Sequence, residues 1–335
     1  MGLLAPVWGF VMSVLLSVRN VVQEFTARGR GGVKGGVVHA VSDVSFDLEK
    51  GETLGVVGET GSGKSTLARS ILQAPRPKSG EVHFLGQDLM RHRSRALTQA
   101  RRQLQMVFQD PYGSLNPRWR VSEIVEEPLI GYRAPNRDSR VRELLDLVGL
   151  NPDTYARRRP HELSGGQCQR VAIARAIALD PALVVCDEAV SSLDVLIQAQ
   201  VLNLFERLRR ELGLSYLFIS HDLALVKQVS DRVAVMHLGQ LCEIGPAEAL
   251  YRAPMHPYTV ALLSSIPKLD PGARHSTEKV TLEGEPPSPI SPPSGCRFRT
   301  RCPFAQDRCA TDAPQLRELA PGHQVACHFP LANNS

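Results

Sequence analysis

In the run Gly58-Glu59-Thr60-Gly61-Ser62-Gly63-Lys64-Ser65-Thr66, the eight residues from Gly58 to Ser65 fit the pattern G-x-x-x-x-G-K-[ST]. Glycines in such a loop let main-chain N–H groups turn inward around phosphate oxygens. A helix opening at Lys64 would aim its positive end at the same anion. Lys64 would reach the β- and γ-phosphates, and Ser65 would offer its hydroxyl to magnesium. Gly58, Gly61, Ser62, Gly63 and Thr66 complete the cradle, so the loop is expected to bind a nucleoside triphosphate. Further along, Leu183-Val184-Val185-Cys186-Asp187-Glu188 is an apolar run that ends in two acids. Asp187 is suited to hold magnesium through its water shell, and Glu188 to polarise an attacking water. Gln109 and His221 each follow an apolar run of their own. The amide can touch both magnesium and the water, and the imidazole can donate a hydrogen bond to the γ-phosphate. An ordinary buried strand reaching the surface would end the same way. The order of these groups behind the phosphate loop is what selects chemistry over structure.

Elements must carry these groups to one place. Strand-like runs cover residues 14–22, 41–48, 53–57, 105–108, 183–186, 216–219 and 233–237, several of them continuously apolar as in strands buried on both faces. Helical periodicity fills 64–72, 141–148, 166–178 and 197–211. Strands alternating with helices predict an α/β fold with a mostly parallel sheet. In such a sheet ligands sit beyond the carboxyl ends of the strands, where Gln109, Asp187, Glu188 and His221 all lie. The stretch from about 111 to 160 has no strand pattern and reads as a helical insertion.

At 335 residues, 43% hydrophobic and 22% charged, the chain has the composition of an ordinary globular protein with room for one large domain and a smaller one. A net charge of +5 favours an anionic partner without choosing one. Aromatics at 5% are too sparse for a base-stacking surface. Residues 2–18 are uncharged, but they lack a basic leading region, contain Pro6 and are barely long enough to span a bilayer. Pro6 also breaks the myristoylation pattern. Residues 1–12 therefore read as an extension, with Met12 as the alternative start.

Cysteines crowd near the end. Cys296, Cys302, Cys309 and Cys327 are separated by five, six and seventeen residues, beyond a linker of six prolines between 268 and 295. With no export signal a reducing compartment is expected, so disulfides are disfavoured. Four thiolates suit a [4Fe–4S] cluster or a structural zinc, and the spacing alone leaves both, or no metal, open. The tail reads as a separate small Cys-rich unit that a metal would staple.

One more motif closes the set. Leu163-Ser164-Gly165-Gly166-Gln167 lies about a hundred residues after the phosphate loop. With Gln109, Asp187-Glu188, Ser192-Leu193-Asp194 and His221 in this order, the chain resembles the ATPase subunits of ABC transporters. Closer spellings extend the likeness over most of the chain: Val107-Phe108-Gln109-Asp110-Pro111-Tyr112, Ser114-Leu115-Asn116-Pro117-Arg118, the run from Asp194 to Val201, and His256-Pro257-Tyr258-Thr259. These resemble the dipeptide/oligopeptide (and nickel) importer ATPases. Tyr112 and Tyr216-Leu217-Phe218-Ile219 look nearer the second of the two paired subunits such systems often use.

The resemblance implies a P-loop NTPase core of ABC type over 13–255, with a helical subdomain at about 111–175, and a peptide-transporter-type C-terminal region with the four cysteines over 256–335. It implies two ATPase subunits sandwiching two ATP molecules. Ser164, Gly165, Gly166 and Gln167 of one subunit would complete the site on the other's phosphate loop, with Asp194 nearby and Phe25 stacking on adenine. It implies a second ATPase subunit, two permeases docked at the helical insertion, an extracytoplasmic binding protein, and a place on the cytosolic face of the inner membrane. Similar tails carry an iron–sulfur cluster, which favours iron over zinc here. Ala189, where proline is usual, and Cys168, where a larger polar residue is common, depart from the pattern without removing a chemical group. An ABC ATPase acting on nucleic acid is the rival reading. One nucleotide unit and no heptad run argue against it. Nickel or another small solute in place of peptide stays open.

Overall fold

The computed structural model describes residues 14–27, 35–266 and 284–331. The N-terminal extension expected over 1–12 lies outside them. Twelve strands are present among the described residues: β1 (Val14–Ala27), β2 (Gly36–Glu49), β3 (Thr53–Val57), β4 (Ser79–Phe84), β5 (Gln87–Asp88), β6 (Leu104–Val107), β7 (Leu183–Asp187), β8 (Ser215–Ile219), β9 (Arg232–His237), β10 (Gln240–Pro246), β11 (Arg317–Ala320) and β12 (His323–Val325). They form two sheets, one ordered β2-β1-β4-β5 and the other β11-β12-β10-β9-β3-β8-β7-β6. The smaller sheet is antiparallel. In the larger one β3, β6, β7, β8 and β9 run parallel, and β10 to β12 extend it antiparallel.

The apolar runs explain the layering. β3, β7 and β8 are buried at every residue, and alternate side chains leave opposite faces of the sheet. Val184, Cys186, Tyr216 and Phe218 enter one core, shared with the helices that follow β6. Leu183, Val185, Leu217 and Ile219 enter the other, shared with β1, β2 and the helix Lys64–Ile71. Between β6 and β7 the described chain is helical, including Val121–Gly131, Arg137–Leu147 and Gly165–Ile177, which pack together. Among the described residues no helix is long and apolar enough to cross a membrane.

The C-terminal region corrects the expectation of a separate Cys-rich unit. β12 pairs with β10 through Glu243–Val325 and Ile244–Gln324, so the tail adds strands to the main sheet. Phe298, 2% exposed, belongs to the main core. Its ring centroid lies 5.2 Å from that of Tyr258 and 5.5 Å from that of His237. The free edge of β10 and the apolar face beneath it are what the tail covers, and a short tail gains more burial there than it could alone.

Candidate functional site

The phosphate loop leaves β3 at Val57 and enters the helix Lys64–Ile71. Gly58, Gly61 and Gly63 all hold positive φ, at 153°, 81° and 103°. At Gly63 a side chain is excluded outright, because a Cβ would stand 2.1 Å from the Ala40 carbonyl oxygen of β2. Lys64 is buried, and its Nζ donates to the carbonyls of Gly58 at 2.7 Å and Glu59 at 3.0 Å. Burial pulls its ammonium pKa down, against the carboxylates of Glu188, Asp187 and Glu59. Ser62 is buried within the loop, and Thr66 lies on the helix's first turn.

The strand ends deliver the other groups. The Ser65 hydroxyl donates to Asp187 Oδ1 at 2.7 Å, joining the loop to the end of β7. Burial raises the Asp187 carboxyl above its usual range, opposed by the Ser65 hydrogen bond and by Arg69. Glu188 follows with φ 50°, and its amide donates to the Ile219 carbonyl of β8 at 2.9 Å. Its carboxylate is held from two sides: Gln109 Nε2 donates to Oε2 at 2.8 Å, and His221 Nδ1 lies 3.3 Å from Oε1. Loops after β6, β7 and β8 thus converge on one carboxylate, as the sequence order predicts. Gln109 is exposed and the His221 side chain half-exposed, so the group faces open space rather than core.

The second motif opens the helix Gly165–Ile177. Ser164 caps the helix Gly165–Ile177, accepting from the Gln167 amide at 3.4 Å while the Gln167 side chain accepts from the Ser164 amide at 3.0 Å. Gly165 is half-exposed and Gly166 buried. A Cβ on Gly166 would stand 2.5 Å from Ile197 Cγ2, so this glycine is required by packing inside the chain. Asp194 caps the helix Val195–Leu212 through the Ile197 amide at 3.0 Å. Tyr112, three residues after Gln109, donates its hydroxyl to the Leu163 carbonyl at 3.1 Å and so links the two loops. Phe25 stands exposed on β1 opposite Val38, two residues before Ala40.

Three features were not foreseen. Glu59 of the loop takes Arg301 in a paired contact at 2.7 and 3.0 Å. Its amide donates to the Tyr258 hydroxyl at 3.0 Å. Burial raises the Glu59 carboxyl, but Arg301 outweighs it and the net shift is downward. At the far edge, buried Glu243 of β10 meets His323 Nε2 of β12 at 2.7 Å. His256-Pro257-Tyr258-Thr259 was the one signal for any of these, and it gave no partner. Cys296, Cys302, Cys309 and Cys327 line one cavity with Phe298 and Phe304. Burial raises the Cys296 thiol and pushes Cys302 and Cys327 up to about 11. Among the described residues no three or more His, Cys, Asp or Glu side chains are arranged to hold a single metal ion.

Comparison with known proteins identifies the family. Residues 41–191 match the family described as ABC transporter, and 242–309 match the oligopeptide/dipeptide transporter C-terminal region. The chain is 49% identical to the putative oligopeptide transport ATP-binding protein YkfD of Bacillus subtilis, over 94% of this chain and 95% of that protein. It is equally identical to the oligopeptide transport ATP-binding protein AppF of the same organism, over 94% of this chain and 97% of that one. Among solved structures it resembles a dimeric post-hydrolysis state of the ATP-binding cassette MJ0796 bound to ADP and Pi. There the TM-score is 0.61 at 29% identity, covering 69% of this chain and 98% of the other.

Proposed function

The chain belongs to the ABC transporter ATP-binding subunits of the oligopeptide/dipeptide type, and on that premise we propose that it hydrolyses ATP to drive oligopeptide import. The observation that carries the reading is Glu188, oriented by Gln109 and His221 beside a loop whose Ser65 already meets Asp187. ATP lies with its phosphates on Gly58, Gly61, Ser62, Gly63, Lys64, Ser65 and Thr66, and its adenine against Phe25. Ser65, Gln109 and Asp187 would hold a magnesium ion, which would supply positive charge beside the phosphates. The Ser65–Asp187 contact supports that donor set: a hydroxyl and a buried carboxylate are hard oxygen ligands in reach of each other. Glu188 takes the proton of the attacking water, Gln109 fixes the water's direction, and His221 donates to the γ-phosphate.

Ser164, Gly165, Gly166, Gln167 and Asp194 serve the ATP of a second ATPase subunit. Ser164 and Asp194 stand exposed where their helices begin, which supports that division. Two permeases dock against the helices between β6 and β7, which form a helical subdomain at about 111–175 within an ATPase domain spanning 13–255. A binding protein delivers peptide from outside, and the subunit works on the cytosolic face of the inner membrane. Residues 256–335 form the transporter-type C-terminal region, where Cys296, Cys302, Cys309 and Cys327 would be the ligands of a [4Fe–4S] cluster. Four thiols on one cavity support a thiolate-held group. Zinc is the alternative occupant of the same four thiols. Such a cluster would supply a structural link among the thiols. Anaerobic purification with visible absorption and iron analysis tests it, and a colourless protein containing only zinc would refute the cluster.

Glu188→Gln tests the main reading in the assembled complex. ATP binding is expected to persist while turnover falls about a hundredfold or more. Near-normal turnover would remove Glu188 from its role.

A further inference from the structure

The phosphate loop is gripped at one residue by two side chains from the C-terminal region. Glu59 is the second residue of the loop, and its carbonyl is one of the two that hold Lys64 Nζ. Its amide donates to the hydroxyl of Tyr258, a fully buried side chain on the helix Pro257–Ser264. That hydroxyl also lies 3.4 Å from Glu59 Oε2. The Glu59 carboxylate accepts both Arg301 guanidinium nitrogens, at 2.7 and 3.0 Å, from 242 positions along the chain. The Arg301 side chain is 5% exposed. A two-pronged guanidinium–carboxylate contact fixes direction as well as distance. Phe298 packs on the Tyr258 ring, and its carbonyl accepts from the Arg301 amide at 3.0 Å, so the two anchors share one support.

We propose that Arg301 and Tyr258 are positioning residues for ATP, holding Glu59 so that the phosphate loop presents Lys64 ready-made. The inference rests on the reading that ATP sits on this loop. A loop already fixed in its binding shape loses little freedom when ligand arrives, so the anchors act on affinity. They do not touch the reacting atoms, so the chemical step changes little. A staple that merely stabilised the fold would lower melting temperature and leave ATP affinity intact.

The test uses the full chain in its assembled complex, at a temperature where each variant is folded. Arg301→Met and Glu59→Gln are each expected to raise the KM for ATP about tenfold while kcat stays within about threefold. Arg301→Lys should recover part of that affinity, because it restores the charge without the paired geometry. The Arg301→Met/Glu59→Gln double variant should bind no worse than the weaker single variant, as expected of two groups acting through one contact. Tyr258→Phe, which removes only a hydroxyl, should raise KM about threefold and serves if Arg301→Met does not fold. A KM within about twofold of wild type in Arg301→Met, or in Tyr258→Phe where that variant replaces it, overturns the proposal; so does a double variant in which the single effects multiply. Lys64→Ala separates the premise: unchanged ATP affinity there means ATP is not on this loop. Lost affinity in Lys64→Ala beside intact affinity in Arg301→Met sinks the positioning role alone.

Discussion

Gly166 illustrates how one residue can serve two surfaces. In the sequence it belongs to a motif that the proposed function turns toward a second subunit's nucleotide, yet the space its side chain would take is filled by Ile197 of the same chain. Gly166→Ala would drive a methyl to 2.5 Å from Ile197 Cγ2. Overpacking of this kind costs about 1–3 kcal/mol, visible as a lower melting temperature. Ile197→Ala removes the clashing carbon, so the double variant should regain stability relative to Gly166→Ala. His237 offers a second residue-scale prediction. Burial holds its pKa down to about 4, against the pull of Glu59 and with the push of Arg301, His256 and Arg297. An unfolded histidine takes its proton near pH 6.5. The stability from keeping His237 neutral is therefore complete above 6.5 and is lost as pH falls toward 4. Urea midpoints at about pH 7.5 and 5 should differ less in His237→Phe than in wild type. That variant loses no hydrogen bond at Nε2, which has no partner among the described residues.

At the scale of elements, short polar contacts set where helices begin beside the site. Asp194 accepts from the Ile197 amide and starts the helix that supports Gly166. Asp194→Ala should cost about 1 kcal/mol and Asp194→Asn much less, measured by chemical denaturation. This scale also divides what the sequence told from what it hid. β3, β7, β8 and β9 were legible because each is a continuous apolar run bounded by polar residues. The helices at Lys64 and Gly165 were legible from their motifs and periodicity. β11 and β12 were not, since Arg-Glu-Leu-Ala and His-Gln-Val are too short and polar to carry a period. Their strand character comes from the edge of β10 that they complete. The strand-end groups around Glu188 were readable because topology sends parallel strands to a common end. Tyr258 and Arg301 were not readable as partners of Glu59, because separations of 199 and 242 positions leave no local trace.

Across the whole molecule, the C-terminal region is structural cladding for the ATPase sheet. Glu243 is fully buried and accepts from the Met255 and His256 amides as well as meeting His323. His323→Ala withdraws one of those partners and leaves a void against β10. A loss of about 2 kcal/mol is expected, read from denaturant midpoints, with tail proteolysis faster than in wild type.

That same contact joins residues eighty positions apart, and synthesis runs in one direction. While a ribosome makes the intervening chain, β10 waits with an open edge and Glu243 lacks its ring partner. The phosphate loop waits longer than the strands around it, since Arg301 also arrives late. A nascent chain at this stage has most of its sheet but neither its last strands nor its clamped loop. Such an open edge is a surface that chaperones hold and that aggregation exploits. The order of translation therefore makes the Arg301 clamp on the phosphate loop one of the last contacts this protein forms.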